Sequence, residues 1–411
     1  MKFEHWAVFI NNESHKSAFI RAVLNGQPPK ALNAFKDRNG SLFSKIAIER
    51  FIDEEDRHGN KIITKDHEQS LRSMSSGEQK KALLHYLLAK QPEFMILDNP
   101  FDNLDIDSQE KLTLTLAAES IRTVFVLLIS RRVDLLPFIM NYAILDKLEL
   151  KVQNDLNSIG PQLMAEPFSG KIPEPPQKWK YTTNELITLQ NINVRFGNKP
   201  ILQDICWTIK KGAFWQLIGK NGSGKTTLLS MITGENPKGY GQELYLFGRK
   251  KGSGESIWDI KRKIGYFTPA MTDKFTGYHS VENMIISGLN DSIGLYIKPS
   301  EAQQRLAKEW LELIGMWPSR DRHFHDLSMG QKRLVMTVRA MIKHPMLLIL
   351  DEPTAGLDDT SAALLVALVN KMARESAIAT IFVSHRKEPG LDPDQVFELQ
   401  LHEKGSKGLI K

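Results

Sequence analysis

The stretch FWQLIGKNGSGKTTLL, residues 214–229, joins an apolar run to a glycine-rich loop and then to a helical pattern. The loop fits G-x-x-x-x-G-K-[ST], in which backbone N–H groups and the start of the next helix surround phosphate oxygens. We expect Lys225 to reach the β- and γ-phosphates and Thr226 to bind magnesium. The predicted nucleotide-binding residues of this loop are Gly219, Lys220, Asn221, Gly222, Ser223, Gly224, Lys225, Thr226 and Thr227.

Three further motifs follow in order, namely LSMGQ at 327–331, LLILDEP at 347–353 and VSHR at 383–386. Asp351 ends an apolar strand, where an acid can hold magnesium, and Glu352 is suited to polarise an attacking water. We expect His385 to contact the γ-phosphate. Two acids at a strand end would alone indicate an ordinary turn, but Lys225 upstream and His385 downstream favour a phosphate site.

The same four motifs occur earlier in altered form, as INNESHKS at 10–17, MSSGEQ at 74–79, FMILDNP at 94–100 and ISRR at 129–132. Gly330 precedes Asp351 by 21 residues (351 − 330), and Gly77 precedes Asp98 by the same 21 (98 − 77). Repetition of this kind predicts two domains of one fold.

The first copy is chemically damaged. Bulky or charged residues replace the loop glycines, asparagine replaces the glutamate after the strand, and arginine replaces the histidine. These replacements are Ile10, Glu13, His15, Asn99 and Arg131, whereas Lys16, Ser17 and Asp98 remain. An amide cannot act as a general base, so Asn99 is not expected to activate water. Arg131 could still hold a phosphate or lie at the surface.

Composition shifts divide the chain into a first domain at 1–150, a Pro-rich linker at 151–184 and a second domain at 185–411. Alternating apolar strands and helical patterns predict an α/β fold in each domain, with a mainly parallel sheet flanked by helices and a helical subdomain. The first domain is abbreviated before its phosphate loop. It is also shorter before the glycine of MSSGEQ, since Lys16 precedes Gly77 by 61 residues and Lys225 precedes Gly330 by 105.

The composition is that of a globular protein of 411 residues, 41% hydrophobic and 25% charged, with a net charge of +6. The charge excess fits a mixed surface better than a nucleic-acid-binding protein. The lone cysteine, Cys206, excludes an internal disulfide and is expected to be an inert core thiol. Apolar runs are too short for a membrane helix, which needs about 20 residues. We expect a cytoplasmic protein, peripheral at the inner membrane face if it has membrane partners.

Taken together, the four motifs resemble the ABC ATPase superfamily, which implies tandem P-loop NTPase domains that use ATP and Mg²⁺. In that family the signature serine and glycine close onto a nucleotide held by the opposite domain. The resemblance therefore implies that Ser328, Gly330 and Gln331 serve the first domain's nucleotide, and that Ser75, Ser76, Gly77 and Glu78 serve the second's. Phe196 lies where the family stacks an aromatic ring on adenine, although a core position on a strand is the alternative.

If each domain's signature serves the nucleotide held by the other domain, the chain is predicted to have one complete hydrolytic site. It would combine the second domain's phosphate loop and acids with the first domain's signature. One departure concerns partners: Thr268 and Pro269 stand where the family usually has the glutamine that couples the site to a transmembrane subunit.

A narrower resemblance rests on HWAVF at 5–9, ITGENPKGY at 232–240 and YLFGRKKGSGESIWDIKRKIGY at 245–266. These stretches are similar to the ModF/PhrA-type tandem ATP-binding proteins, which are associated with molybdate transport or named photorepair proteins. The implied function is the ATP-binding component of a transport system, with membrane permease subunits as partners. The alternatives are a soluble ABC ATPase acting on nucleic acid, the ribosome or another macromolecule, and a nucleotide-binding scaffold without turnover.

Overall fold

The structure is a computed structural model that describes residues 4–65, 69–156, 159, 167–273, 275, 277–385 and 388–411. The chain forms two compact units. Unit 1 comprises Met1–Gln162 and Gly356–Thr360, and unit 2 comprises Leu163–Ala355 and Ser361–Lys411. The division after Gln162 falls inside the Pro-rich segment. Arg386, the last residue of VSHR, lies outside the described residues.

A six-stranded sheet forms the centre of unit 1, in the order β2-β3-β4-β1-β5-β6. Its strands are β1 (Trp6–Ile10), β2 (Gly40–Phe43), β3 (Phe94–Asp98), β4 (Val124–Ile129), β5 (Asn141–Asp146) and β6 (Glu149–Gln153). All neighbours run parallel except β5 and β6. Both faces of the sheet are covered: Phe125 and Leu127 of β4 pack into one core, and Val126 and Leu128 into the other. Burial on both faces explains the unbroken apolar run of β4.

Four α-helices flank this sheet: α1 (Lys16–Leu24), α2 (Lys45–His58), α3 (Ser76–Ala89) and α4 (Ile106–Glu119). Side chains cap three of them, because Ser44, Ser75 and Asp105 each accept a hydrogen bond from a backbone N–H of the first turn. Such caps satisfy donors that the helix itself leaves unpaired.

Unit 2 repeats the same sheet, in the order β12-β13-β14-β9-β15-β16, and adds an antiparallel sheet, β11-β10-β7-β8. Its strands are β7 (Glu185–Phe196), β8 (Lys199–Lys210), β9 (Phe214–Gly219), β10 (Glu243–Leu246), β11 (Arg249–Lys250), β12 (Ile264–Phe267), β13 (Leu347–Asp351), β14 (Ala379–Val383), β15 (Gln395–Gln400) and β16 (Lys407–Ile410). The matching order of the two six-stranded sheets confirms the predicted pair of α/β domains. The described residues of unit 1 contain no counterpart of the antiparallel sheet.

The helices of unit 2 are α5 (Lys225–Ile232), α6 (Ile257–Lys263), α7 (Pro269–Asp273), α8 (Val281–Ile286), α9 (Glu301–Leu313), α10 (Met329–Met341) and α11 (Asp359–Glu375). Three helices, α7 to α9, lie between β12 and α10. In unit 1 only one α-helix, α2, lies in the described chain between β2 and α3. The helical part of unit 1 is therefore shorter, as the motif spacing predicts.

The prediction of a core position for Cys206 is wrong, because this residue is exposed. Side chains alternate between the faces of a strand, and on β8 it is Ile205 and Trp207 that point into the core. The Cys206 thiol instead lies 3.2 Å from Asn191 Oδ1 and donates to it. Within the described part of the chain, no helix combines the length and the apolar character needed to cross a bilayer.

Candidate nucleotide-binding sites

The phosphate loop of unit 2 runs from the end of β9 to the start of α5 and depends on its glycines. Gly222 and Gly224 have φ angles of 78° and 92°, which side-chain-bearing residues rarely adopt. A Cβ on Gly224 would also lie 2.8 Å from Leu202 Cδ2. Gly224 is the N-cap of α5 and provides no side-chain cap. The start of α5 is thus left to backbone N–H groups, the arrangement that suits an anion.

The backbone of this loop holds the Lys225 side chain. Its ammonium donates to the carbonyl oxygens of Gly219 at 2.6 Å and Lys220 at 3.2 Å. The neighbouring Ser223 hydroxyl is buried and has no hydrogen-bond partner among the described residues. Thr226 and Thr227 follow in the first turn of α5. Sequence order and fold therefore place all nine predicted loop residues around one helix start.

Glu352 and His385 form a contacting pair beside the loop. His385 Nδ1 lies 3.2 Å from Glu352 Oε1, and only 7% of His385 is exposed. The other ring nitrogen, Nε2, is buried without a hydrogen-bond partner among the described residues. Glu352 has a φ of 51°, so it turns out of the sheet directly after Asp351, the last residue of β13. The histidine can therefore orient the carboxylate while its second nitrogen remains available for a ligand.

Asp351 sits in an environment that resists its negative charge. Burial, followed by the charge of Glu352, raises the pKa of Asp351 to about 6, and Lys225 and a hydrogen bond with Tyr266 oppose the rise. Burial and the nearby Asp351 charge raise the pKa of the Tyr266 phenol above its ordinary range. A carboxylate destabilised in this way gains from a cation.

These residues fit Mg-ATP. The loop offers a helix start without a side-chain cap. The Ser223 hydroxyl and His385 Nε2 are buried polar atoms without partners among the described residues. Asp351 is a carboxyl that a divalent cation would stabilise. Thr226 and Asp351 would hold the metal, and Lys225 the phosphates. Magnesium, when bound, supplies charge neutralisation on the phosphate oxygens.

In the corresponding loop of unit 1, the backbone N–H groups are already used in hydrogen bonds. The N–H of Glu13 donates to Asn11 Oδ1, that of Ser14 to the Asn11 carbonyl, and that of His15 to the Lys147 carbonyl, all within 3.2 Å. The N–H of Lys16 donates to the Ser14 carbonyl at 2.9 Å. Four consecutive donors are therefore already used, which counts against a phosphate cradle there.

The lysine at the end of that loop pairs with the acid that ends β3. Lys16 Nζ lies 3.0 Å from Asp98 Oδ1, and burial raises the pKa of Asp98 while Lys16 lowers it. Asn99 has a φ of 43°, like Glu352, and its Oδ1 accepts from the Ser130 N–H at 3.2 Å. Arg131 is only 5% exposed, so the surface interpretation of this residue is wrong.

Both signature serines begin a helix with the same capping box. Ser75 Oγ accepts from the Glu78 N–H, and the Glu78 carboxylate accepts from the Ser75 N–H. Ser328 and Gln331 repeat the arrangement at the start of α10. In unit 1 the Ser75 hydroxyl also donates to Glu78 at 2.7 Å, and the hydrogen bonds from Ser75 lower the pKa of Glu78. The motif in unit 1 therefore keeps the local geometry of the intact copy.

The other predicted positions differ in outcome. Phe196 is 48% exposed and the Lys238 ammonium lies 5.8 Å from its ring centre, so the alternative of a core aromatic is wrong. Pro269 begins α7, directly after Thr268, where the family glutamine was expected.

Sequence reasoning missed Tyr266 and Gln216; the latter donates to Ser384 Oγ at 2.9 Å. A polar residue inside the apolar run FWQLIG was the available signal for Gln216.

The comparisons with known proteins agree with this geometry. The family model described as ABC transporter matches residues 202–355. The chain is 39% identical over 328 residues to the ABC transporter ATP-binding protein ModF of Escherichia coli, a match that covers 77% of this chain and 67% of the relative. This chain belongs to the ABC family of ATP-binding proteins. An uncharacterized ABC transporter ATP-binding protein of Schizosaccharomyces pombe is 27% identical over 445 residues, covering 94% of this chain and 90% of that protein.

Among solved structures, this ABC protein resembles archaeal ABCE1 bound to the ribosome with Pelota, with a TM-score of 0.67 and 14% identity. That match covers 100% of this chain and 74% of the other. A complex of the archaeal ribosome recycling factor aABCE1 with a ribosomal stalk protein gives a TM-score of 0.64 at 15% identity, covering 99% and 85%. Identities this low show a shared fold.

Proposed function

We propose that this ABC protein hydrolyses Mg-ATP at one competent site. Lys225, Asp351 and Glu352 of the second half would work with the signature residues Ser75 and Gly77 of the first half. The observation that carries the proposal is the contrast between the two phosphate loops. Both helix starts lack a side-chain cap. The loop in unit 2 is shaped by the glycines at 222 and 224, whereas in unit 1 the N–H groups of four consecutive residues, 13 to 16, are already used in hydrogen bonds.

The chemistry follows from the placed groups. Glu352, oriented by His385, accepts a proton from water as the water oxygen attacks the γ-phosphorus. The bond from that phosphorus to the bridging oxygen breaks, ADP leaves, and phosphate carries the new oxygen. Lys225 stabilises the charge on the phosphates, and Ser75 donates a hydrogen bond to the γ-phosphate. His385 Nε2 remains available for the same phosphate.

Phosphate release by the purified chain tests the assignment. Glu352→Gln should lower turnover by about 10²–10⁴-fold, because it removes the general base. Lys225→Ala should abolish it, whereas Lys16→Ala, the matched change in unit 1, should leave it within about twofold, since Lys16 pairs with Asp98. Full turnover in Lys225→Ala would falsify the proposal, and loss of turnover in Lys16→Ala would show that the first loop takes part.

The two signature serines provide a sharper comparison. Each caps a helix with the same box, so Ser75→Ala and Ser328→Ala should each lower the free energy of unfolding by about 1 kcal/mol. Only Ser75→Ala should lower turnover, by about 10²-fold, the loss expected when one phosphate donor is removed. Equal turnover losses in both variants would contradict a single site.

We further propose that the chain is the ATP-binding component of a transport system, of the molybdate type. The support is the 39% identity to ModF, an ABC transporter ATP-binding protein. Purification of Glu352→Gln with ATP from detergent-solubilised membranes tests this role. We expect membrane permease subunits to remain bound to Glu352→Gln. They should be lost from Lys225→Ala. Ribosomes or nucleic acid in their place would contradict the transport role.

A second candidate function is action on a macromolecule by a soluble ABC ATPase. The observation that favours it is the replacement of the usual coupling glutamine by Thr268 and the start of α7 at Pro269. In the same purification, this candidate predicts a ribosomal or nucleic-acid partner that persists without membranes.

A further inference from the structure

A long groove lies between the parallel helices α3 and α4 of unit 1. Its volume is about 1050 Å³. Ser75 and Leu104 line one end, next to the starts of the two helices, and Gln91 and Arg122 line the other, next to their ends. From Gly77 to Ala89 it follows α3 for about 18 Å, at about 1.5 Å per residue. This volume lies at the upper limit for small-molecule pockets, which are about 300–1,000 Å³, and 18 Å is the length of a helix of about three turns.

In unit 2 the equivalent surface is covered. The constant spacing of the repeats matches Lys81, His85 and Ala89 of α3 with positions 334, 338 and 342. The three unit 1 residues are exposed. Their counterparts, Leu334, Val338 and Ile342, are 8%, 0% and 0% exposed.

Two segments of unit 2 meet at the end of the covered surface. Gln91 matches His344, and both have a left-handed backbone, with φ of 49° and 47°. The ring of Trp310, from α9, lies 5.9 Å from the His344 ring. Trp179 donates to the His344 carbonyl at 2.7 Å. Helices therefore cover this side of unit 2, because α8 packs against α10 and Trp310 of α9 reaches the position that Gln91 occupies in unit 1.

The groove in unit 1 combines apolar walls with a basic rim. Leu84 and Leu112 form its floor at 4% and 9% exposure, and Leu114 stands at its edge with 71% exposed. Lys81, Lys111 and Arg122 line the groove together with Glu78 and Glu119, so its charge is basic on balance. Polar residues at the rim allow the uncovered groove to face water. A partner that covers the groove can therefore bind reversibly. The same cations favour a partner with acidic groups beside its apolar face.

We propose that this groove binds an amphipathic helix of about three turns, with an acidic flank, presented by a partner protein. The inference is independent of the proposed ATPase site, except that the groove begins at Ser75, the N-cap of α3. Docking along α3 would therefore reach the signature motif directly.

The test uses the full chain and a fluorescein-labelled peptide with the α9 sequence, residues 301–313. That helix buries Ala307, Trp310 and Leu311 on one face and exposes Glu309 and Glu312. Saturable binding by anisotropy is expected, with a scrambled peptide at least tenfold weaker. Absence of saturation up to about 1 mM peptide, the limit of weak association, would overturn the proposal.

Two matched variants locate the binding site. Leu114→Glu should weaken the peptide at least tenfold, whereas Leu148→Glu, at an equally accessible turn with 60% exposure, should not change it. Lys111→Glu should also weaken binding, and a peptide carrying Glu309→Lys and Glu312→Lys should regain affinity for that variant. Thermal melts followed by circular dichroism check that the variants fold. Equal binding of the peptide to all variants would overturn the proposal. A concentration-dependent dimer that is lost only in Leu114→Glu would also overturn it, because the groove would then bind a second copy of the chain.

Discussion

At the scale of single residues, Tyr266 connects a sheet strand to the acid expected to hold magnesium. Hydrogen bonding between its phenol and Asp351 links the pKa values of the two groups, and the side chain is half-buried. This bond opposes the rise in the pKa of Asp351, so it favours the charged form that binds a cation.

Tyr266→Phe should therefore raise the Mg²⁺ concentration needed for half-maximal turnover. Hydrogen bonds to charged groups contribute about 1.5–3 kcal/mol, so the increase should be about tenfold or more. Tyr245→Phe, which loses a hydrogen bond to Glu243 at the surface, is the matched control. Overlapping Mg²⁺ titrations for wild type and Tyr266→Phe would show that the bond does not support the metal site.

At the scale of elements, the Pro-rich segment is held by the residues that follow α10 and by the end of α11. Trp179 donates to the His344 carbonyl, and the Ile172 N–H donates to the Glu375 carboxylate at 3.3 Å. Burial lowers the pKa of His344 to about 4, against smaller opposite effects from Pro173 and Glu174. The folded protein thus keeps His344 neutral at a pH where the unfolded chain, with a histidine pKa of about 6.5, is protonated.

Protons bind the unfolded state preferentially between about pH 6.5 and pH 4, so stability should fall as the pH drops through this window. The loss attributable to His344 reaches roughly 3 kcal/mol at its lower end. His344→Asn should flatten this dependence, because asparagine does not titrate and tolerates the left-handed backbone. Urea unfolding at pH 7.0 and 4.5 measures the effect, with His402→Asn as the exposed control. An unchanged pH dependence in His344→Asn would rule out this histidine as the cause.

At the scale of the whole molecule, the sequence predicts the repeated framework well. The apolar runs at Trp6–Ile10, Val124–Ile129, Phe214–Gly219 and Ala379–Val383 are strands with those same bounds. They are recognisable because burial on both faces leaves an unbroken apolar signal. The strand order, by contrast, is not predicted, because it depends on which strands pair across the sheet.

What the sequence did not predict depends on contacts between distant residues. The Tyr266–Asp351 bond and the His15 N–H bonded to Lys147 join positions far apart in the chain. Cys206 was misplaced because its strand alternates, and the apolar run around it hides that period. The groove beside α3 is not visible in the sequence, since the described residues of unit 1 contain no helix that covers it.

The left-handed backbone shared by Asn99 and Glu352 has an energetic consequence. Both residues donate a backbone hydrogen bond to the next strand, at 2.9 and 3.0 Å, so the turn itself is preserved in each half. Asparagine enters this conformation more readily than glutamate does. The general base of the proposed mechanism, Glu352, therefore stands in a conformation that costs a glutamate more than an asparagine. The first half, of which that mechanism requires no base, has at this turn the residue that adopts the conformation more readily.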